Sequence, residues 1–199
     1  MKRIIFATGN EGKMREIRMI MKDTGYEVVS LKEVGLNPDI VEDGSTFEEN
    51  AIIKAKTITE MTGEMALADD SGLEVDYLDK APGIYSARFL GEDTSYEVKN
   101  TYILDQLKGV PEEKRSARFV CAIAFCAPDK TVMTTRATIE GRIGERMAGE
   151  NGFGYDPIFY VPEFGVSTAE LTMEQKNQIS HRAKALNLMK EKLKGLEEE

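Results

Sequence analysis

Histidine occurs once in this chain, at position 181. That scarcity excludes zinc sites built from two or three histidines, and relays of several imidazoles, within one subunit. Cysteine is almost as rare: Cys121 and Cys126, in "FVCAIAFCAP", lie five residues apart. On a strand they face opposite sides and share neither a metal nor a bridge, so they read as buried thiols. Any metal chemistry is thereby pushed toward carboxylates and Mg2+. No segment approaches the ~20 apolar residues of a membrane span. The start, "MKRIIFATGN", has too short an apolar run for a signal peptide, and a cytoplasmic protein is expected. Surplus positive charge is missing too: 26 Lys and Arg face 35 Asp and Glu, a formal net charge of -9. Broad attraction to a nucleic-acid backbone is therefore not expected, and any phosphate site must be local.

What remains is a chain of 199 residues, 41% apolar, with dispersed charge. It is long enough to bury a core as one domain without staples. "RIIFAT" reads as a buried strand, and Met14, Ile17, Ile20 and Met21 place an amphipathic helix from Glu11 to about Lys22. "YEVVSL" is a second strand. In "STFEENAIIKAKTITEMTG" two overlapping capping boxes, Ser45 with Glu48 and Thr46 with Glu49, open a helix. Its apolar face is Phe47, Ala51, Ile52, Ala55 and Ile58, and it ends at Gly63. "MALADDSGLEVDYL" reads as a strand interrupted by an Asp-Ser-Gly turn. Thr94 and Glu97 box a helix running to Gly109. "ARFVCAIAFCA" and "TVMTTRATIEGRI" form a hairpin around "PDK", which makes the sheet mixed. Residues 141 to 156 carry five glycines and read as a long irregular loop before the strand "PIFYV". The C-terminal helical stretch breaks near Ser180, and "LEEE" is a solvated tail.

Chemistry gathers in a few stretches. "FATGNEGKMREI" resembles a phosphate loop but is not a Walker motif, since Ala7 and Met14 stand where Gly and a hydroxyl residue belong. It still ends at a helix N-terminus, where amides and dipole favour an anion. Gly9 and Gly12 allow close approach, Thr8 and Asn10 add donors, and Lys13 adds a point charge. An ordinary strand-to-helix turn with a solvated lysine suits the same residues. In "ADDSGLEV" the paired aspartates follow an apolar strand, where such sheets place ligand residues. Asp69 shares a face with Leu67 and Asp70 with Ala68, so only one need face the site; a polar strand exit with turn hydrogen bonds is the alternative. In "VEDGSTFEEN", capping explains Glu48 and Glu49 but not Glu42 and Asp43, which makes the latter two metal candidates. "NGFGYDPIF" can set Phe153 or Tyr155 against a planar ring, with Asp156 at a polar edge. "KNQISHRAKAL" brings Lys176, His181 and Arg182 close in sequence.

"ATGNEGKMREI", "EDGSTFEENAIIKA", "ALADDSGLEVD", "APGIYSARF", "GFGYDPIF" and "KNQISHRAKAL", in that order, resemble the inosine triphosphate pyrophosphatase family, the dITP/XTP pyrophosphatases, from residue 4 to about 190. The resemblance implies one α/β domain over residues 1–199: an elongated mixed β-sheet flanked by helices, with two lobes around a central substrate cleft. It implies a homodimer and hydrolysis of ITP, dITP and XTP to monophosphate and pyrophosphate with Mg2+. It implies no nucleic-acid or membrane partner. Carried over by position, Thr8, Gly9, Asn10, Glu11, Gly12 and Lys13 are similar to the phosphate-binding turn, and Lys54 adds positive charge. Asp70 matches the catalytic carboxylate and Glu42 its Mg2+-binding partner. Ser71, Phe153, Gly154, Tyr155, Asp156, Lys176, His181 and Arg182 match substrate-contacting positions. Gln178 and Ala183 depart from the usual Ala and Gly, which touches packing rather than chemistry. On this reading the carboxylates confront Lys13 across the site, and His181, Arg182 or nearby amides select a 6-keto purine. A general nucleotide pyrophosphatase and a non-hydrolysing triphosphate sensor are the competing readings.

Overall fold

The computed structural model describes residues 2–196. Its first strand, β1 (Lys2–Phe6), runs into the turn at 7–10 and helix α1 (Glu11–Met21), followed by β2 (Tyr26–Ser30), α2 (Phe47–Thr62) and β3 (Met65–Val75). Then come α3 (Tyr96–Gln106), β4 (Ser116–Cys126), β5 (Val132–Ile143), β6 (Phe159–Val161), β7 (Val166–Ser167), α4 (Met173–Ile179) and α5 (His181–Gly195). The sheet has seven strands in the order β2-β1-β3-β4-β5-β6-β7. β1 is parallel to β2 and β3, whereas β6 is antiparallel to β5 and β7, so the α/β sheet is mixed as expected. Among the described residues no helix is long and apolar enough to cross a membrane.

Two compact units divide the chain: Met1–Asp70, Cys121–Ala137 and His181–Glu199 form one, and Ser71–Val120 and Thr138–Ser180 the other. Each has its own core. In the first, Met14, Ile17 and Met21 of α1 and Ala185, Leu186, Met189 and Leu193 of α5 pack on Ile4, Phe6, Leu67, Cys121, Ile123 and Phe125. In the second, Leu73, Val75, Ile103, Leu107, Ile143, Tyr155 and Phe159 cluster together. Both cysteines are buried, and only Cys121 belongs to the first core, as their odd spacing requires.

The expected elements appear, with differences at their boundaries, and α3 ends at Gln106, short of Gly109. β3 is one unbroken strand of 11 residues instead of two pieces around an Asp-Ser-Gly turn. Its residues Met65–Leu67 pair with β1 and its other neighbour in the sheet is β4, and incorporation in the sheet outweighs a local turn preference. The cap of α3 is Ser95, whose hydroxyl accepts from Val98 N, while the Thr94 hydroxyl donates to Leu90 O. β5 extends through Ile143, so the irregular stretch is shorter than 141–156, and Pro157 and Ile158 belong to a 3-10 turn ahead of β6. Thr46, not Ser45, caps α2. The break between α4 and α5 falls at Ser180 as expected. From Glu197 on, the expected solvated tail lies outside the described residues.

Candidate active site

The parallel ladder brings two of the chemical stretches together. Phe6 is abreast of Leu67, and Ala7 N donates to Leu67 O at 2.8 Å, so the 8–13 turn leaves β1 beside the point where β3 reaches Asp69 and Asp70. Strand alternation then separates the two aspartates. Asp69 lies on the Leu67 face, which α1 and α5 cover, and these helices supply its partners: Lys13 Nζ at 3.0 Å and Arg182 Nε at 3.4 Å. A second carboxylate, Glu16, accepts from Arg182 at 3.2 Å. Asp70 lies on the other face, where Lys54 of α2 stands 3.8 Å from its Oδ1 and 3.3 Å from Glu42.

Electrostatics make these neighbours different acids. Burial raises the pKa of Asp69, but the charges of Lys13, Arg182 and Lys54 outweigh it and hold that carboxyl well below the usual range. For Asp70 burial wins: against the pull of Lys54, and with Glu42 adding repulsion, its pKa is raised to about 6. Burial also works against the Lys54 ammonium, yet Asp69, Asp70 and Glu42 together keep its pKa raised. Lys54 therefore interacts with both aspartates and ties the two faces into one electrostatic unit. The expectation that Lys13 confronts Asp70 is corrected: Lys13 is bonded to Asp69, and Lys54 meets the Glu42/Asp70 pair.

In the turn, Thr8 and Asn10 serve the backbone first. Asn10 Oδ1 accepts from Lys13 N at 3.1 Å and caps α1, and Thr8 Oγ1 accepts from Asn10 N at 3.1 Å. A Cβ at Gly12 would stand 3.1 Å from Asn10 Oδ1, whereas Gly9 has open space around it. Glu11 is exposed in the first helical turn, where its charge suits the dipole.

The remaining candidates fall into other groupings. Ser71 follows Asp70 in β3, half-buried. In the second unit Phe153 is 71% exposed, with Lys176 Nζ 4.9 Å from its ring centre. Asp156 is buried and fully used: it accepts from Phe153 N, Thr168 Oγ1 and Lys176 Nζ. Tyr155 is core rather than an open platform, its hydroxyl donating to Ser86 O at 2.6 Å and its ring edge-on to Tyr96. Gly154 O accepts from Asn100 Nδ2 at 3.1 Å. His181 opens α5 and is half-buried. Lys176 and Arg182, adjacent as motif residues, serve different carboxylates, Asp156 and Asp69 respectively.

Sequence reasoning missed Glu16, Asn50, Gly152 and Thr168. Asn50 had a signal: a polar amide on the buried stripe of α2 between Phe47 and Ala51. Gly152 had a weaker one as a glycine in the loop, and its φ is +73°.

Among the described residues no group of three or more His, Cys, Asp or Glu side chains is placed to hold a metal alone. Glu42 and Asp70 nonetheless form a hard-oxygen pair on one lysine, and Asp70 Oδ2 is buried without a hydrogen-bond partner. Such an orphaned acceptor fits a cation that takes only one or two carboxylates and completes its shell with water and phosphate oxygens, as Mg2+ does.

The model of the Ham1 family matches residues 4–192. A dITP/XTP pyrophosphatase of Bacillus licheniformis is 50% identical over 186 residues, 94% of this chain and 95% of that protein. Another of Desulforamulus reducens is 50% identical over 98% of this chain and 96% of its own length. Among solved structures, the Ham1 protein of Staphylococcus aureus aligns with a TM-score of 0.90 at 44% identity, over 98% of this chain and 99% of that one. A HAM1 protein of Coxiella burnetii aligns at 0.91 and 39%, over 97% and 98%. With the match running through every stretch that builds the aspartate clusters, this chain belongs to the Ham1 family.

Proposed function

We propose that the chain hydrolyses non-standard purine nucleoside triphosphates, ITP, dITP and XTP, to the monophosphate and pyrophosphate, removing them from the nucleotide pool. The observation that carries this reading is Asp70, its Oδ2 buried and its pKa raised, beside Glu42 and Lys54 and next to the Lys13-bearing turn, in a chain of this family.

Charge balance sets the mechanism. Lys13, Lys54 and Arg182 are matched by Asp69, Asp70, Glu42 and Glu16, which leaves no surplus positive charge for a tetra-anionic triphosphate. Glu42 and Asp70 would hold Mg2+, which when bound supplies the charge that neutralises the phosphates and lowers the pKa of nearby water. Water oxygen attacks the α-phosphorus, the bond from that phosphorus to the bridging oxygen of the β-phosphate breaks, and Asp70 accepts the proton. An ordinary Asp, pKa ~3.9, is a poor base for this step, and a raised pKa narrows the mismatch. Lys13 and the amides at the start of α1 bind the departing pyrophosphate. Asp69, ionised throughout, holds Lys13 and Arg182 in place between turnovers.

Phe153 offers its exposed ring to the base. Lys176, a donor only, suits a 6-keto oxygen and leaves the 6-amino group of adenine opposed by a like donor. His181, Arg182 and Ser71 remain substrate contacts in this reading, while Tyr155 and Asp156 shape the Phe153 loop. The enzyme works on free nucleotides, as a cytoplasmic homodimer. Asp70→Asn tests the assignment: nucleotide binding should stay measurable while pyrophosphate release falls at least ~100-fold, and substantial remaining turnover would reject the role.

A further inference from the structure

Helix α2 starts from a locked first turn. Thr46 Oγ1 accepts from Glu49 N at 3.1 Å, and the Glu49 carboxylate accepts from Ser45 N at 2.6 Å and Ser45 Oγ at 2.7 Å. The next residue is Asn50, fully buried. A buried amide in a helix interior is unfavourable by propensity and by desolvation unless its groups find partners. Asn50 Oδ1 accepts from Gly44 N at 2.8 Å. A backbone N–H can only donate, so this bond fixes the amide orientation and leaves Nδ2 as the remaining donor.

Nδ2 and Asp70 Oδ2 are both buried without a hydrogen-bond partner. The amide still acts on the Asp70 carboxylate, working against the rise that burial causes. Gly44 admits no side chain, since a Cβ there would stand 2.7 Å from Asn50 Oδ1 and 2.8 Å from Glu49 Cβ. Lys54 follows Asn50 at i+4, on the same side of the helix, and bridges Glu42 and Asp70. One helical face thus serves both carboxylates: Lys54 reaches Glu42 and Asp70 by charge, and Asn50 holds Gly44, two residues after Glu42, while keeping one buried donor unpaired beside an unpaired Asp70 acceptor.

We infer that Asn50 is a positioning residue for the carboxylate pair, its Oδ1 pinning the segment that carries Glu42 through Gly44 N and its Nδ2 orienting Asp70. This rests on the reading of Glu42 and Asp70 as the metal-holding and proton-accepting groups. The amide sets the spacing between a carboxylate on a loop and one on a strand, which neither element controls alone.

Asn50→Ala removes the acceptor of Gly44 N and the inferred donor to Asp70. The expected result is a 10- to 100-fold fall in kcat for ITP with KM changed less than about threefold, and a similar loss of affinity for Mg2+ alone, titrated calorimetrically into nucleotide-free protein. A purely structural role would lower Tm but leave kcat and Mg2+ affinity near wild type well below the melting transition, and that result overturns the inference. Asn50→Asp keeps an acceptor for Gly44 N and loses the donor, so the same losses are expected. Should neither variant fold, the wild type decides: the Asn50 side-chain amide resonances should shift on adding Mg2+, and unmoved resonances refute the contact. Asp70→Asn assayed in parallel separates the levels. Retained turnover there refutes the functional reading, whereas lost turnover there with wild-type behaviour in Asn50→Ala refutes only the role of Asn50.

Discussion

Two adjacent aspartates of identical covalent structure behave as opposite acids because strand alternation hands them different neighbours. The pair was legible in "ADDSGLEV", and so was their division between faces. Their partners were not, since Lys13 and Arg182 lie 56 and 113 residues from Asp69 in the chain. The division has a consequence for stability. Asp70 has a folded pKa of about 6 against an ordinary value of 3.8. Below the ordinary value both folded and unfolded chains carry the proton; between the two values the folded chain binds more, so stability falls as pH rises through that window. Without metal, wild type should lose roughly 2–3 kcal/mol relative to Asp70→Asn between pH 4 and 7. Denaturant unfolding at the two pH values measures this, and a constant difference would remove the burial argument. Phe153 belongs to the same scale. Its ring is exposed, so Phe153→Ala should leave Tm nearly unchanged but raise KM for ITP about tenfold, in line with base stacking. Inhibition by inorganic tripolyphosphate should not change, and an unaltered KM for ITP would end the stacking role.

At the scale of elements, periodicity located the helices and most strands, because α1 buries Met14, Ile17 and Met21 and α2 buries Phe47, Ala51, Ala55 and Ile58 at helical spacing. It failed where a local signal met a tertiary constraint. "DDSG" is turn chemistry by composition, yet it runs as strand within β3, whose residues Met65–Leu67 pair with β1 and whose other neighbour in the sheet is β4. Functional residues hid for a related reason: Asn50 sits within capping chemistry that already explained its surroundings. The loop before β6 shows the same limit. Its glycines announced irregularity without saying which one matters, and Gly152 is the critical position. There φ is +73°, and a Cβ would stand 2.2 Å from Asp156 Oδ2 and 3.1 Å from Lys176 Nζ. Gly152→Ala should destabilise by about 1–3 kcal/mol and raise KM for ITP more than kcat falls, because it displaces the carboxylate that holds Lys176 and Phe153 N. Thermal melting and initial rates check this, and a variant with wild-type Tm and KM would contradict it.

For the whole molecule, the order of the motifs along the chain pointed to the family, and a match over residues 4–192 bears that out. What the linear order could not supply is which cation neutralises which carboxylate. On the proposed function, a net charge of -9 with Lys13, Lys54 and Arg182 each paired to a carboxylate calls for added positive charge when a polyphosphate binds. That proposal accounts for carboxylates, which repel phosphate, standing in the same cluster as lysines that attract it. The most direct test is a panel of ITP, XTP, GTP, ATP and dTTP, assayed for monophosphate and pyrophosphate with Mg2+ present and after its removal by chelation. The account predicts stoichiometric pyrophosphate and monophosphate from ITP and XTP, with kcat/KM at least ~10-fold above that for ATP, and loss of turnover on chelation. Equal rates across the panel, release of orthophosphate, or turnover indifferent to chelation would contradict it.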